Sequence, residues 1–85
     1  MMFCFTEKAF EDYQYWEEFN RKTYLRINEL LKEISRTPYK GIGKPEPLKH
    51  NLKGWWSRRI TDEHRLVYRI ENNSIIILSC RLQYD

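Results

Sequence analysis

The apolar residues of this chain change their period once, and that change limits the fold more than any other feature. Through the first part they recur every three or four positions, as Ala9, Phe10, Tyr13, Trp16 and Phe19, then Tyr24, Ile27, Leu30, Leu31 and Ile34. That spacing lines one face of a helix. From Trp55 onward they alternate or run together, which is the patterning of strands. Between the two regimes stand Pro38, Gly41, Gly43, Pro45 and Pro47, a stretch that no helix can cross.

The element boundaries follow from caps and breakers. Phe3 and Phe5 alternate with Cys4 and read as a short first strand. Thr6 suits the N-cap of a helix from Glu7 to Phe19, and Glu7, Glu11 and Asp12 place negative charge near its N-terminal end. Asn20 reads as the cap of a second helix, which Thr37-Pro38 stops because the residue before proline avoids the helical region. The helices follow each other with almost no loop and so form a hairpin. A short, irregular strand over 48–52 is expected next. Strands over 55–60, 64–70 and 74–82 follow, with turns at Thr61-Asp62-Glu63 and Asn72-Asn73. The last strand is apolar on both faces and therefore central or covered. The order is β-α-α-β-β-β-β, class α+β: an antiparallel helical hairpin packed on one face of a mainly antiparallel sheet. At 85 residues this is one domain, spanning 1–85.

Several function classes are excluded by what the chain lacks. Its longest aliphatic run, Ile75-Ile76-Ile77-Leu78, falls far short of the ~20 residues of a membrane-spanning helix, so no membrane role is expected. The first residues carry no positive, then apolar, leader pattern, and a cytoplasmic location is expected. Cys4 and Cys80 lie at opposite ends, which suits neither a disulfide scaffold nor a metal or redox pair, and both read as small apolar side chains. Three glycines cannot build a nucleotide phosphate loop. No carboxylate cluster or His/Cys set suggests a metal, and no cofactor is expected.

Charge is unevenly spread. Residues 1–35 hold five Lys/Arg against seven Asp/Glu, residues 36–69 hold nine against three, and residues 70–85 one against two. The surplus of six in the middle block suits a polyanion, most readily a nucleic acid. Within that block the residues permit metal-free acid–base chemistry. Glu46 lies between prolines in Lys44-Pro45-Glu46-Pro47, which stiffen the backbone and fix where its carboxylate points. A solvated loop glutamate is the competing reading. In a hairpin of the strands flanking residues 61–63, Arg59 and Arg65 come close, and two guanidinium groups repel unless an anion bridges them. Glu46 would remove the proton of an RNA 2′-hydroxyl while Arg65, Arg59 and Lys49 neutralise the phosphorane. DNA lacks that hydroxyl and would not be cut. Trp55, Trp56 and Tyr84 lie near the block and offer stacking surfaces for bases, although Trp56 and Tyr68 read better as core. His64 alternates with Arg65 and so faces away from it; a structural or surface role is expected for His64 and for His50.

The run Gly41-Ile42-Gly43-Lys44-Pro45-Glu46-Pro47-Leu48-Lys49, with Ser57-Arg58-Arg59-Ile60 and Glu63-His64-Arg65-Leu66-Val67-Tyr68, resembles the YoeB toxin family, the Txe/YoeB branch of the RelE/ParE superfamily. The likeness extends to Tyr13-Gln14-Tyr15-Trp16 and Ile27-Asn28-Glu29-Leu30-Leu31-Lys32, and covers nearly the whole chain without a gap. It implies two helices against an antiparallel sheet, and an endoribonuclease toxin of a type II toxin–antitoxin pair that cleaves mRNA in the ribosomal A site. The implied partners are a YefM-like antitoxin, the 70S ribosome with its mRNA, and operator DNA as the toxin–antitoxin complex; a homodimer is compatible. Carried over by position, Glu46 matches the general base, Arg65 the residue that stabilises the transition state, and Lys49 and Arg59 phosphate contacts. Lys44 and Arg58 belong to the same basic run and join the expected RNA-binding set. Tyr84 matches the functional tyrosine near the C-terminus.

One position departs from the family pattern, which ends in Tyr-His-Tyr or similar with the histidine as general acid. Here Gln83 stands in its place. Glutamine donates a hydrogen bond but transfers no proton near neutral pH, and general acid catalysis is typically worth about 10²–10⁴-fold. The expectation is an active but attenuated ribonuclease. A non-cleaving ribosome blocker, a gyrase inhibitor of the ParE kind, and a decayed toxin acting only as antitoxin partner and co-repressor remain open on sequence.

Overall fold

The structure, a computed structural model, describes residues 1–82. The chain runs β1 (Met2–Phe5), α1 (Glu7–Phe19), α2 (Arg21–Arg36), β2 (Glu46–Pro47), a short 3-10 turn (His50–Leu52), β3 (Trp56–Arg59), β4 (Arg65–Glu71) and β5 (Ser74–Ser79). The strands form one sheet in the order β1-β5-β4-β3-β2. β2–β3, β3–β4 and β4–β5 pair antiparallel, whereas β1 lies parallel to β5. The class is α+β as expected, and β5 is an interior strand, as its two apolar faces require.

Both helix starts form as their sequences dictate. Thr6 Oγ1 accepts from the N–H of Ala9 at 3.1 Å. Asn20 serves two helices at once: its N–H closes α1 on the carbonyl of Trp16 at 2.9 Å, and its Oδ1 accepts from the N–H of Thr23 at 3.2 Å. That double use lets the chain fold back with a one-residue junction, and Tyr13 of α1 meets Tyr24 and Asn28 of α2. Ile27, Leu30, Leu31 and Ile34 of α2 are buried together with Ala9, Trp16, Leu66, Tyr68, Ile75, Ile77 and Cys80.

The apolar stripe of α1 differs from expectation. Phe10 and Phe19 are 51% and 66% exposed, while Asp12 is buried. The buried positions 9, 12 and 16 keep helical spacing, and the phenylalanines fall at the margins of that face. Asp12 is buried because it has work there: its carboxylate accepts the N–H of Cys80 at 3.0 Å and holds Lys8 Nζ at 2.5 Å. Cys80 is buried as expected and Cys4 is partly so; both thiols are free. Burial pushes the Cys80 thiol up to about 12.

The strand expected over 48–52 is not there. Successive turns, Leu52 N–H to Lys49 O and Lys53 N–H to His50 O, wind that stretch into the 3-10 turn. The sheet instead takes up Glu46–Pro47, which pair with Ser57 and Trp56. Proline, lacking an N–H, is accommodated because β2 is an edge. The Asn72-Asn73 turn has φ of 49° and 60°, the left-handed pair that a tight hairpin between right-twisted strands requires.

Candidate active site

Alternation along β3 and β4 divides their side chains between two faces. Trp56 and Arg58 point with Leu66 and Tyr68 toward the helices, and Ser57 and Arg59 share the other face with Val67 and Arg65. Glu46 lies opposite Ser57 and so joins that second face. Arg59 is the next residue on this face of β3, a diagonal neighbour at roughly 7–8 Å between backbones. Arg65 stands directly opposite Arg59. Ser57 and Val67 are buried and form the floor, while Glu46 and Arg59 are exposed at its border. One carboxylate thus borders a face on which two guanidinium groups stand side by side, an arrangement whose repulsion a phosphate would relieve.

The local chain fixes each group. Gly43, at φ 83°, accepts the N–H of Arg59 at 2.6 Å. A Cβ there would meet Leu30 Cδ2 at 2.9 Å and Arg58 Cβ at 3.2 Å, so only glycine lets the loop lie this close to the core. Two residues of stiffened chain then lead to Glu46. Arg65 Nη1 donates to the carbonyls of Thr61 at 2.8 Å, Asp62 at 3.2 Å and His64 at 3.1 Å, so the tight turn orients its guanidinium. Lys44 and Lys49 are exposed on either side of β2. Arg69 continues the row of β4, lying over the Trp55 ring at 4.6 Å and pairing with Glu71 at 2.6 Å. Trp55 therefore offers that face to an arginine of its own chain. Trp56 packs on the core and against Tyr39, and Tyr68 is fully buried, as expected.

Arg58 is a correction. It was expected among the RNA-contacting residues, but it is 0% exposed. Its Nη2 donates to the carbonyls of Thr37 at 2.6 Å and Lys40 at 2.9 Å, its Nη1 to Ile42 at 3.1 Å, and its Nε to the Tyr68 hydroxyl at 3.2 Å. Tyr68 in turn donates to Pro38 O at 2.6 Å. Burial raises the Tyr68 hydroxyl above its ordinary value, an effect that the bonded arginine opposes. The pair binds the 37–42 loop from beneath, and a guanidinium so engaged cannot reach a phosphate. The signal was present in the sequence: if Arg59 faces outward with Arg65, its neighbour must face inward. His64 does face away from Arg65, its ring edge-on to Trp16 with centroids 4.7 Å apart. Gln83 and Tyr84 lie outside the described residues. Among the described residues no group of His, Cys, Asp and Glu is arranged to hold a metal ion.

The chain and its fold have counterparts among known proteins. Residues 5–84 match the model of the YoeB-like toxin of bacterial type II toxin–antitoxin systems. The chain is 52% identical over 84 residues to the toxin YoeB of Escherichia coli K12, covering 99% of this chain and 100% of that one. A YoeB/ParE toxin from Agrobacterium tumefaciens superposes with a TM-score of 0.97 at 41% identity, over 99% of this chain and 100% of that one. The toxin of a YoeB–YefM complex from Staphylococcus aureus superposes with a TM-score of 0.92 at 52% identity, over 99% and 98% of the two chains.

Proposed function

The chain belongs to the YoeB-like toxin family of bacterial type II toxin–antitoxin systems, and from that membership we infer that it is a ribosome-dependent endoribonuclease cutting mRNA in the A site. The observation that carries the reading is the placement of Glu46 diagonal to Arg59, itself opposite Arg65, on the sheet face away from the helices. Glu46 takes the proton of a 2′-hydroxyl, and the resulting oxygen attacks the adjacent phosphorus. Arg65 and Arg59, with Lys49 from the edge, stabilise the added negative charge of the phosphorane. The bond to the next nucleotide's 5′-oxygen then breaks, leaving a 2′,3′-cyclic phosphate. Arg65 is suited to this because the 61–64 turn already orients it, and preorganised donors cost no rearrangement in the transition state.

The 5′-oxygen must gain a proton as it leaves, and Gln83 cannot supply one near neutral pH. The enzyme is therefore attenuated, with Tyr84 and the surrounding cations serving the leaving oxygen less well than an acid would. No metal takes part in this scheme. A YefM-like antitoxin, acidic and partly disordered, covers the basic block, and the complex of the two binds operator DNA; a homodimer is compatible with the free toxin. Among the described residues no helix is long and apolar enough to cross a membrane, and a ribosomal substrate places the protein in the cytoplasm.

The test is mRNA cleavage on programmed ribosomes, mapped by primer extension. Glu46→Gln and Arg65→Ala should each lower the single-turnover rate at least about tenfold, and Gln83→His should raise it. Unchanged rates would remove Glu46 and Arg65 from the chemistry. A wild-type protein that halts ribosomes without cutting would replace this reading with that of a blocker.

A further inference from the structure

The chain leaving β5 is strapped down residue by residue. Cys80 donates its N–H to Asp12 at 3.0 Å, and its carbonyl accepts from Trp16 Nε1 at 2.8 Å. Arg81 lies over the Tyr15 ring at 3.6 Å. Leu82 is held from both sides: its N–H donates to His64 Nδ1 at 2.7 Å, and its carbonyl accepts from the N–H of Arg65 at 3.2 Å. Leu82 has φ of 66°, a left-handed conformation that costs an L-residue about 1–2 kcal/mol and persists only where surroundings hold it.

His64 is the hub of these contacts. Its carbonyl accepts from the N–H groups of Ile60 and Thr61 and from Arg65 Nη1, and its N–H donates to Thr61 Oγ1. The ring is set edge-on against Trp16, the same residue that holds Cys80. Because Nδ1 is the acceptor, the ring proton belongs on Nε2. One residue thus joins the turn that orients Arg65 to the backbone of Leu82.

We propose that His64 is a positioning residue for the cleavage reaction: through Nδ1 it fixes Leu82, whose carbonyl holds the N–H of Arg65, and with its own carbonyl on Arg65 Nη1 it keeps that guanidinium in place at the site. This rests on the ribonuclease reading. It assigns no contact with RNA to His64 itself, which faces the opposite side of the sheet from Arg65. Its effect is on the placement of the Arg65 guanidinium, where misplacement by about 1 Å can cost on the order of 10²-fold in rate.

Two variants separate the acceptor from the ring. Asparagine places its Oδ1 close to where Nδ1 stands, so His64→Asn keeps an acceptor for Leu82 while losing the ring contact with Trp16. His64→Leu keeps apolar bulk and loses the acceptor. Amide exchange at Leu82, followed by NMR, reads the strap directly, and single-turnover cleavage on programmed ribosomes reads its consequence. In His64→Leu the Leu82 amide should exchange at least about tenfold faster, and the rate at saturating toxin should fall at least about tenfold with ribosome affinity unchanged. His64→Asn should restore both to within about threefold of wild type. Should His64→Leu not fold, His64→Gln, whose acceptor lies further from the backbone, takes its place in the comparison. Equal exchange in all proteins would overturn the strap. Faster exchange with unchanged Glu46-dependent cleavage would overturn the positioning role, as would a loss that asparagine does not restore. Failure of the ribonuclease reading is seen separately, as a wild-type protein that makes no Glu46-dependent cut, and it would remove this role too.

Discussion

Replacing Arg58 by methionine removes a guanidinium of similar reach while keeping an apolar stem, and the structure sets what that should cost. Four donations end with it: to the carbonyls of Thr37, Lys40 and Ile42, and to the Tyr68 hydroxyl. Hydrogen bonds from a charged donor are worth about 1.5–3 kcal/mol each, so the gross loss is large. Two effects offset it. The charge no longer has to be kept out of water, a penalty of several kcal/mol for a buried ion, and the partly buried loop carbonyls can turn toward solvent. What remains is about 3 kcal/mol. For a domain of this size each kcal/mol is worth roughly 4–8 °C, so Arg58→Met should melt about 12–24 °C below wild type by circular dichroism or calorimetry. Arg59→Met is the control: Arg59 is exposed, and its replacement should change stability by no more than about 0.5 kcal/mol. Cleavage should show the reverse order, with Arg59→Met slow yet stable. Arg58→Met melting within about 3 °C of wild type would refute the reasoning, because the loop would then not depend on the buried guanidinium.

Three further outcomes follow from named contacts. Asp12→Ala strands the buried N–H of Cys80 and should cost about 2 kcal/mol, a fall of roughly 8–16 °C in Tm, with Asp12→Asn losing less because it keeps an acceptor; equal losses would show that the acceptor is not what matters. Gly43→Ala, which would press a Cβ to 2.9 Å from Leu30 Cδ2, should destabilise by about 1–3 kcal/mol and slow cleavage by displacing the approach to Glu46, and a neutral result by thermal melting and primer extension would contradict the close approach. The thiol of Cys80 and the hydroxyl of Tyr13 are raised to about 12 from 9.0 and 10.0, mainly by burial. The folded state therefore keeps protons that the unfolded chain releases. Stability from these groups is intact below pH 9 and is lost as pH rises toward 12, so the urea midpoint should be flat to about pH 9 and then decline. In Cys80→Ala the onset should move to about pH 10, the ordinary tyrosine value; a midpoint that rises above pH 9 would contradict the sign.

The helices and the outward row of charged residues were legible because each depends on local period. Stops at Thr37-Pro38 and caps at Thr6 and Asn20 are written within four residues of where they act. The pairing of Arg59 with Arg65 followed from one short turn. What could not be read was settled by distant partners. Asp12 breaks its helix's apolar stripe for the sake of Cys80, and nothing near Asp12 announces that. The 48–52 segment has strand composition in Leu48 and Leu52, yet its backbone closes turn upon turn, and the edge strand goes to a Glu-Pro pair that looked like loop. Arg58 and Arg59 are identical in type and adjacent, and only the register of β3 against β4 separates a structural arginine from a candidate phosphate ligand. The expected role of Gln83 came from resemblance alone and that of Tyr84 from resemblance and its place near the basic block; both lie outside the described residues.

The parallel pairing of β1 with β5 also bears on how such a chain is made. Met2 pairs with Ser74 and Phe5 with Ile77, so the first strand synthesised must wait for the last, and the last occupies the interior of the sheet. Contacts of such wide sequence separation close late in folding because loop entropy opposes them. A chain terminated before Ser74 would hold β1 on one side and the β3–β4 hairpin on the other with nothing to join them. The sheet face that carries Glu46, Arg59 and Arg65 thus gains its full support only once β5 has been made and has joined the two halves.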